Sequence, residues 1–249
     1  GDAMVDSFFD SLPEYIELIM GYAPALFMII VPVAVFIAYQ NAKSQTRKAR
    51  ESAGRLGLQY INVADEMKDK KPNDAFLLGL LSKWSTWAME GSYNGVSVRV
   101  EQVVKTKQTR RIAREGDLGM SNPTSTSYAR GTTYDAVFPQ PLPFDIRIRQ
   151  NITIEFPFMK RPEIDSIQSG DTELDQMVVI SGSDAEKIRG WLGSAHIKNG
   201  LRDVYRALPS ANVDNRGLHY YELKGKPDYE NIKNKLDVLC GAALNIGKA

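Results

Sequence analysis

The sequence predicts an α+β protein, with one N-terminal transmembrane helix followed by a soluble domain that has a mainly antiparallel sheet and helices packed on it. Residues 18–39 carry no charged side chain, and a helix of that length crosses a hydrocarbon core of about 30 Å. Asn94 and Gly95 separate two segments of alternating apolar and polar residues, as in a β-hairpin. Apolar residues recur at helical spacing towards the C-terminus. A run of strands followed by a run of helices is typical of the α+β class.

The charges on either side of the apolar segment predict its orientation. Acidic residues and no basic ones precede it, whereas all 31 Lys and Arg residues follow Gln40. Basic residues beside a span mark the cytoplasmic side. We therefore expect the N-terminus outside and the main domain in the cytoplasm. A cleaved signal peptide is the alternative, but its leading region would be basic rather than acidic.

This reasoning divides the chain into four parts. They are a short extracytoplasmic N-terminus (1–17), the transmembrane helix (18–39), a basic juxtamembrane helix (40–56) and the cytoplasmic α+β domain (57–249). We interpret four basic residues of the third part as neighbours of the lipid headgroups, namely Lys43, Arg47, Lys48 and Arg50. The charge balance is far from that of a nucleic-acid-binding protein, so we expect no nucleic-acid partner.

Alternation of apolar and polar residues predicts the strands of the domain. Val96, Val98 and Val100 are expected on one face of a half-buried strand, with polar residues on the other. The same argument predicts further strands at 58–63, 134–138, 144–148, 152–156, 177–180 and 218–223. Residues 75–84 are apolar but too few to span a membrane, which favours a core helix, or alternatively a helix that dips into the inner leaflet.

Capping and spacing signals predict three helices in the second half of the domain. Ser183 and Glu186 have the spacing of a capping box, and the helix that follows is expected to stop at Gly193. A second helix is predicted near 200–208, and a third begins at Asp228.

Residues 105–133 show neither strand nor helix periodicity, so we predict a long loop outside the core that is mobile or ordered by a partner. Its basic residues are the predicted contacts with an acidic partner surface or with anionic lipid headgroups. They include Lys105, Lys107, Arg110, Arg111 and Arg114.

Catalytic and metal-binding motifs are missing from the sequence. His196, His219 and the single Cys240 have no zinc-ligand spacing, and there is no phosphate-binding loop, dinucleotide fingerprint or nucleophile elbow. Asp171, Glu173 and Asp175 begin like a calcium loop, but the expected Gly and final Glu do not follow. We therefore expect no cofactor, no metal and no enzymatic activity.

Two segments, residues 89–104 and 170–192, resemble a group of bacterial membrane-anchored proteins of unknown function that have a cytoplasmic α+β domain. In that group a G-x-x-x-G hairpin precedes a D-x-x-F/L-D strand and a capped helix. Here the glycines are Gly91 and Gly95, and the acidic motif begins at Asp171. The resemblance implies a bacterial inner-membrane location and an anchored cytoplasmic domain, but no particular activity.

Three functions are compatible with these features. The first is a single-pass accessory or scaffold subunit that packs against a larger assembly of membrane proteins. The second is a peripheral lipid-binding or lipid-sensing module, and the third is an enzyme whose site the sequence does not reveal. The lipid bilayer is a partner in the first two.

The orientation is testable with reporters fused after Ala249. Because acidic residues precede the apolar segment and basic residues follow it, a reporter that is active only in the cytoplasm should work at this position. Activity of a periplasm-only reporter at the same position would contradict the orientation.

Overall fold

The structure is a computed structural model. It describes the backbone of residues 2–63, 87–110, 124–151 and 166–247, and the side chains of 28–63, 87–103, 130–151 and 166–247. The chain forms two compact units, Gly1–Ser44 and Gln45–Ala249. The second unit contains the predicted α+β domain with an antiparallel sheet.

The elements follow one another in an order that mixes strands and helices. Within the described residues the helices are α1 (Asp2–Leu56), α2 (Thr172–Met177), α3 (Ala185–Leu192), α4 (Ala195–Ala207) and α5 (Tyr229–Ile246). The strands are β1 (Gln59–Asn62), β2 (Trp87–Tyr93), β3 (Val96–Arg110), β4 (Thr124–Val137), β5 (Ile146–Gln150), β6 (Val178–Gly182), β7 (Asn212–Asp214) and β8 (Gly217–Leu223).

Helix α1 ends at a glycine stop signal. Gly57 has a φ of +70°, and the backbone N–H of Leu58 donates to the carbonyl of Ala53 over 2.9 Å, as in a Schellman motif. Ala53 and Leu56 are buried in the core of the second unit. The C-terminal part of α1 therefore belongs to the compact unit Gln45–Ala249.

In the part of the chain whose side chains the structure describes, no helix is long and apolar enough to cross a membrane.

Several sequence predictions lie outside the described residues. They are the side chains of residues 18–27 within the predicted span, the predicted helix at 75–84 and the predicted strand at 152–156.

The eight strands in the described part of the chain form one sheet in the order β1-β2-β3-β4-β8-β7-β5-β6, and every neighbouring pair is antiparallel. The predicted hairpin between β2 and β3 is confirmed, with Tyr93 opposite Val96. Asn94 and Gly95 have φ values of 51° and 81°, the positive values that a type I′ turn needs at both positions.

One face of the sheet, which we call the inner face, carries the core. Its cross-strand neighbours Met89, Val100 and Tyr134 are fully buried. Helix α5 packs against β3, β4 and β8, helix α4 packs against α5, and α2 and α3 contact β6. The opposite face, which we call the outer face, carries the intervening polar residues. The predicted alternation of Val96, Val98 and Val100 is confirmed because all three are buried.

The prediction of a loop at 105–133 was wrong for the described residues of this segment. Strands β3 and β4 stay paired from Ser97 opposite Val137 as far as Arg110 opposite Thr124. Among the described residues, no third strand pairs with β3 beyond Glu101, and the β4–β8 pairing ends at Gly131. We call residues 103–110 and 124–130 the ribbon. Backbone pairing builds a two-stranded ribbon, so it leaves little trace in hydrophobic periodicity.

The helix starts were predicted with mixed success. Asp228 is confirmed as the N-cap of α5, where its side chain accepts from the backbone N–H of Asn231 over 3.0 Å. The predicted cap at Ser183 was wrong by one residue, because the carboxylate of Asp184 accepts from the N–H of Lys187 over 3.1 Å. Both residue types are good caps.

We predict that Gly95→Val destabilises the domain by about 1 kcal/mol or more, because a β-branched residue is strained at positive φ. No heavy atom lies within 4 Å of a Cβ at this position, so strain alone should account for the loss. The measurement is urea unfolding of residues 45–249.

Gly190→Ala is the matched control, because its Cβ would also lie in open space. This substitution in α3 should stabilise by up to about 1 kcal/mol, since glycine is unfavourable inside a helix. Equal unfolding free energies for Gly95→Val and the natural chain would contradict the turn assignment.

Candidate interaction surfaces

Helix α1 presents an exposed apolar surface in the first unit. Between Met28 and Tyr39 nearly every large apolar side chain is exposed, including Met28 at 79%, Ile29 at 64% and Phe36 at 61%. Contiguous exposed apolar surface of this kind marks contact with protein or membrane.

The basic residues predicted to lie near lipid headgroups have different environments. Lys43 and Lys48 are exposed. Arg47 is also exposed and pairs with Glu51 over 3.2 Å, whereas the guanidinium of Arg50 lies 5.2 Å from the ring centroid of Tyr60. Arg50 therefore stacks on the folded domain as well as carrying charge at its surface.

The basic residues predicted for the long loop are only partly placed by the structure. Lys105 stands opposite Ala129, Lys107 opposite Ser127 and Arg110 opposite Thr124 in the ribbon. Arg111 and Arg114 lie outside the described residues.

A row of cross-strand neighbours runs across the outer face from one edge of the sheet to the other. The register places its members directly opposite one another on all eight strands. In spatial order they are Gln59, Glu90, Arg99, Asp135, His219, Asn212, Arg149 and Val179. We call this the outer row. Seven of its eight members are polar or charged, whereas apolar residues fill the inner face behind them.

Near one end of the outer row, two of its members form an acid–base–acid cluster with Glu101, which lies beside the row. Arg99 bonds Glu90 over 2.9 Å and Glu101 over 3.0 Å, and all three side chains are partly exposed. Beside them is an open groove of about 460 Å³ that is also lined by Gln59 and Val137. A cluster with two carboxylates and one guanidinium has net negative charge, so its surroundings suit a cationic group.

The middle of the outer row contains a second such cluster around His219. Its Nδ1 lies 2.7 Å from a carboxylate oxygen of Asp135, and its Nε2 lies 3.2 Å from one of Asp214. The hydrogen bond to Asp135 is the main reason that the pKa of His219 is raised, and partial burial opposes it. Partial burial raises the pKa of Asp214. The backbone N–H groups of Arg216 and Gly217 and the charge of His219 outweigh this effect, so the pKa of Asp214 is lowered.

This geometry makes His219 a clamp, by which we mean that its ring links two carboxylates on neighbouring strands. A protonated imidazole donates from both nitrogens, and here each nitrogen already has a carboxylate. The cluster joins β4, β7 and β8, so it holds three strands together. It leaves neither ring nitrogen available to take a proton from a substrate.

The structure contains no group of three or more His, Cys, Asp and Glu side chains able to hold a metal ion within its described residues.

The outer row as a unit was not predicted from the sequence. Polar residues were expected opposite Val96, Val98 and Val100 on the same strand, but not their neighbours on β4, β7 and β8. Cross-strand partners far apart in sequence leave no mark on local patterns. The available signal was the alternation along β3, where Val96, Val98 and Val100 are apolar and the residues between them are polar.

No protein-family model matches the chain, and no curated protein sequence matches it. Among solved structures it is similar to the mycobacterial trehalose monomycolate transport factor A, TtfA, with 8% identity and a TM-score of 0.40. The alignment covers 82% of this chain and 93% of that one. A likeness at this level establishes neither a shared fold nor a shared activity.

We predict that folding stability falls as the pH rises through the raised pKa of His219. A histidine whose pKa is raised on folding stabilises the folded state fully below its ordinary pKa of about 6.5. This stabilisation is lost as the pH rises through the raised pKa. The unfolding free energy of residues 45–249, measured from about pH 6 to about pH 9, should decrease over this window, and His219→Gln should flatten that decrease.

His196→Gln is the matched control because it removes the other histidine, which is exposed and bonded to Ser194 over 2.7 Å. If His219→Gln and His196→Gln gave the same pH profile, the carboxylate clamp would not contribute to stability.

Proposed function

We propose that this chain is a single-pass accessory or scaffold subunit, anchored by α1 in a bacterial inner membrane, that packs against a larger membrane protein assembly. Its N-terminus would lie outside, and the domain would lie in the cytoplasm. No catalytic role is part of this proposal.

The exposed apolar surface of α1 is the observation that carries the proposal. Side chains such as Ile29 and Phe36 are more than half exposed, and leaving them in water forfeits the stabilisation of about 1.5–3 kcal/mol that burial of each would give. Lipid tails or apolar helices of other subunits would cover them. Exposed Lys43 and Lys48 follow the apolar run, as expected at the cytoplasmic headgroups.

The ribbon supports a protein-binding role for the domain. An isolated two-stranded hairpin is marginally stable at best in water, and in the described part of the chain no third strand extends the sheet beside the ribbon. Lys105, Lys107 and Arg110 lie along it. An acidic surface of another subunit would both cover the ribbon and neutralise this charge.

Binding of anionic lipid by the domain is the second candidate function. The observation that favours it is the same basic composition of α1 and the ribbon, because cytoplasmic leaflets carry anionic headgroups. The two functions differ in what the ribbon contacts.

The test replaces residues 106–128 by Asn-Gly. Lys105 and Ala129 are directly opposite, so they would flank a two-residue turn as Tyr93 and Val96 do. We expect the domain to keep its circular dichroism spectrum and the full-length chain to stay in the membrane fraction. Pull-down from detergent extracts should then retain membrane protein partners with the natural chain and lose them with the variant.

The control changes Lys107, Arg110, Arg111 and Arg114 to Gln and leaves the ribbon length intact. Loss of partners in this control as well would identify charge as the determinant. Unchanged partner retention in both variants would contradict docking through the ribbon. Loss of binding to anionic vesicles, with partner retention unchanged, would favour the lipid function instead. If residues 45–249 alone partitioned into membranes as fully as the whole chain, α1 would not be the anchor.

A further inference from the structure

The groove beside the acid–base–acid cluster combines negative charge with an apolar wall. Glu90 and Arg99 line it, and with Glu101 they give the cluster two carboxylates and one guanidinium. Val137 also lines the groove and is 43% exposed. A lysine or arginine side chain fits such a surface, because its charged end pairs with a carboxylate and its aliphatic stem covers apolar side chains.

The ribbon carries charge of the opposite sign. Residues 103–110 and 124–130 contain no Asp or Glu, whereas they contain Lys105, Lys107, Arg110 and Arg130. The groove lies towards the hairpin end of β3 and the ribbon begins at the other end of the sheet. The two surfaces of one chain are therefore complementary in charge, which is the condition for specific contact between protein surfaces.

Exposed apolar side chains mark the same two places. Among the described residues of the second unit, the exposed large apolar side chains are Val137, in the groove, and Leu223. Leu223 is 58% exposed and stands opposite Gly131, at the base of the ribbon. Both residues share the strand alternation of Asp135 and His219, so they lie on the outer face. Each place thus offers apolar contact as well as charge, as protein interfaces do.

The groove and the ribbon of one chain are held apart by β3. Ser97 lines the groove, and Lys107 lies on the same strand, which stays paired with β4 from one position to the other. A strand rises about 3.3 Å per residue, so the two positions are about 33 Å apart. That distance is several times the length of a lysine side chain. The ribbon therefore cannot enter the groove of its own chain, whereas the ribbon of another copy can.

We propose that the groove of one copy receives the basic ribbon of a second copy of this chain. Each copy supplies one groove and one ribbon, so a two-fold arrangement forms both contacts at once, and two-fold dimers are the commonest protein oligomers. The proposal rests on the proposed function, in which the ribbon docks on an acidic surface, and it identifies that surface as the groove of another copy.

Disulfide trapping tests which positions meet. Full-length chains with two different affinity tags, one carrying Ser97→Cys and the other Lys107→Cys, are co-expressed, purified in detergent micelles and oxidised. The natural Cys240 is buried, so it should not react. A disulfide that links the two tags is the expected result. Glu186→Cys, at an exposed position of α3, replaces Ser97→Cys in the control and should give no such link.

Charge reversal tests what holds the copies together. Glu90→Lys reverses the groove, and Lys105→Glu with Lys107→Glu reverses the ribbon. Either change alone should raise the dimer Kd about tenfold or more, measured by sedimentation velocity of the full-length chain in micelles, because like charges then meet. A mixture of the two variants should recover the natural Kd, since opposite charges meet again. Ser97→Lys repeats the groove change at an exposed position and keeps the Glu90–Arg99 pair, in case Glu90→Lys does not fold.

Glu186→Lys is the matched control for charge, and it should leave the dimer Kd unchanged. A monomeric natural chain, an equal Kd in the groove and ribbon variants, or no recovery in their mixture would each overturn the second-copy proposal. The proposed function fails separately. If the natural chain is monomeric but the ribbon replacement loses other membrane proteins in the pull-down, the ribbon docks on a different protein, and only the inference of a second copy is overturned.

Discussion

The register of the four strands β2, β3, β4 and β8 is the constraint on which the rest of the structure depends. One register places Met89, Val100 and Tyr134 together on the inner face. The same register places Glu90, Arg99, Asp135 and His219 together on the outer face. Because side chains alternate along a strand, a slip of one residue would exchange the two sets and bury the charges. Core packing thus determines which charged residues meet, although they are far apart in the sequence.

Polar clusters on both faces join the same strands. On the outer face Asp135 and Asp214 hold His219, and on the inner face Glu222 is bound by Lys235. The outer cluster is partly exposed, so its contribution depends on pH and is screened by solvent. The inner pair is largely buried and therefore needs well-placed hydrogen-bond partners to be tolerated.

Helix α1 carries different kinds of side chain in the two units. In the first unit its apolar side chains are exposed from Met28 onwards. In the second unit Ala49 and Ala53 are buried, and the hydroxyl of Ser52 donates to the carbonyl of Pro227 over 3.0 Å. Small residues allow close approach of a helix to the domain, whereas large apolar ones suit contact with lipid or a partner. One basic residue of α1, Arg55, also contacts the domain, because its guanidinium lies 3.6 Å from the ring centroid of Tyr229.

The sequence by itself determined the features that depend on neighbours in the chain. The turn at Asn94 and Gly95, the cap at Asp228 and the alternation of Val96, Val98 and Val100 are all local, and each was predicted because a short stretch of residues specifies it. Only the tertiary structure decided that β3 and β4 continue as a ribbon through a segment without hydrophobic periodicity. It also decided which residues form the outer row. Both depend on backbone pairing between distant strands, and the energy of that pairing comes from hydrogen bonds that every residue except proline can make.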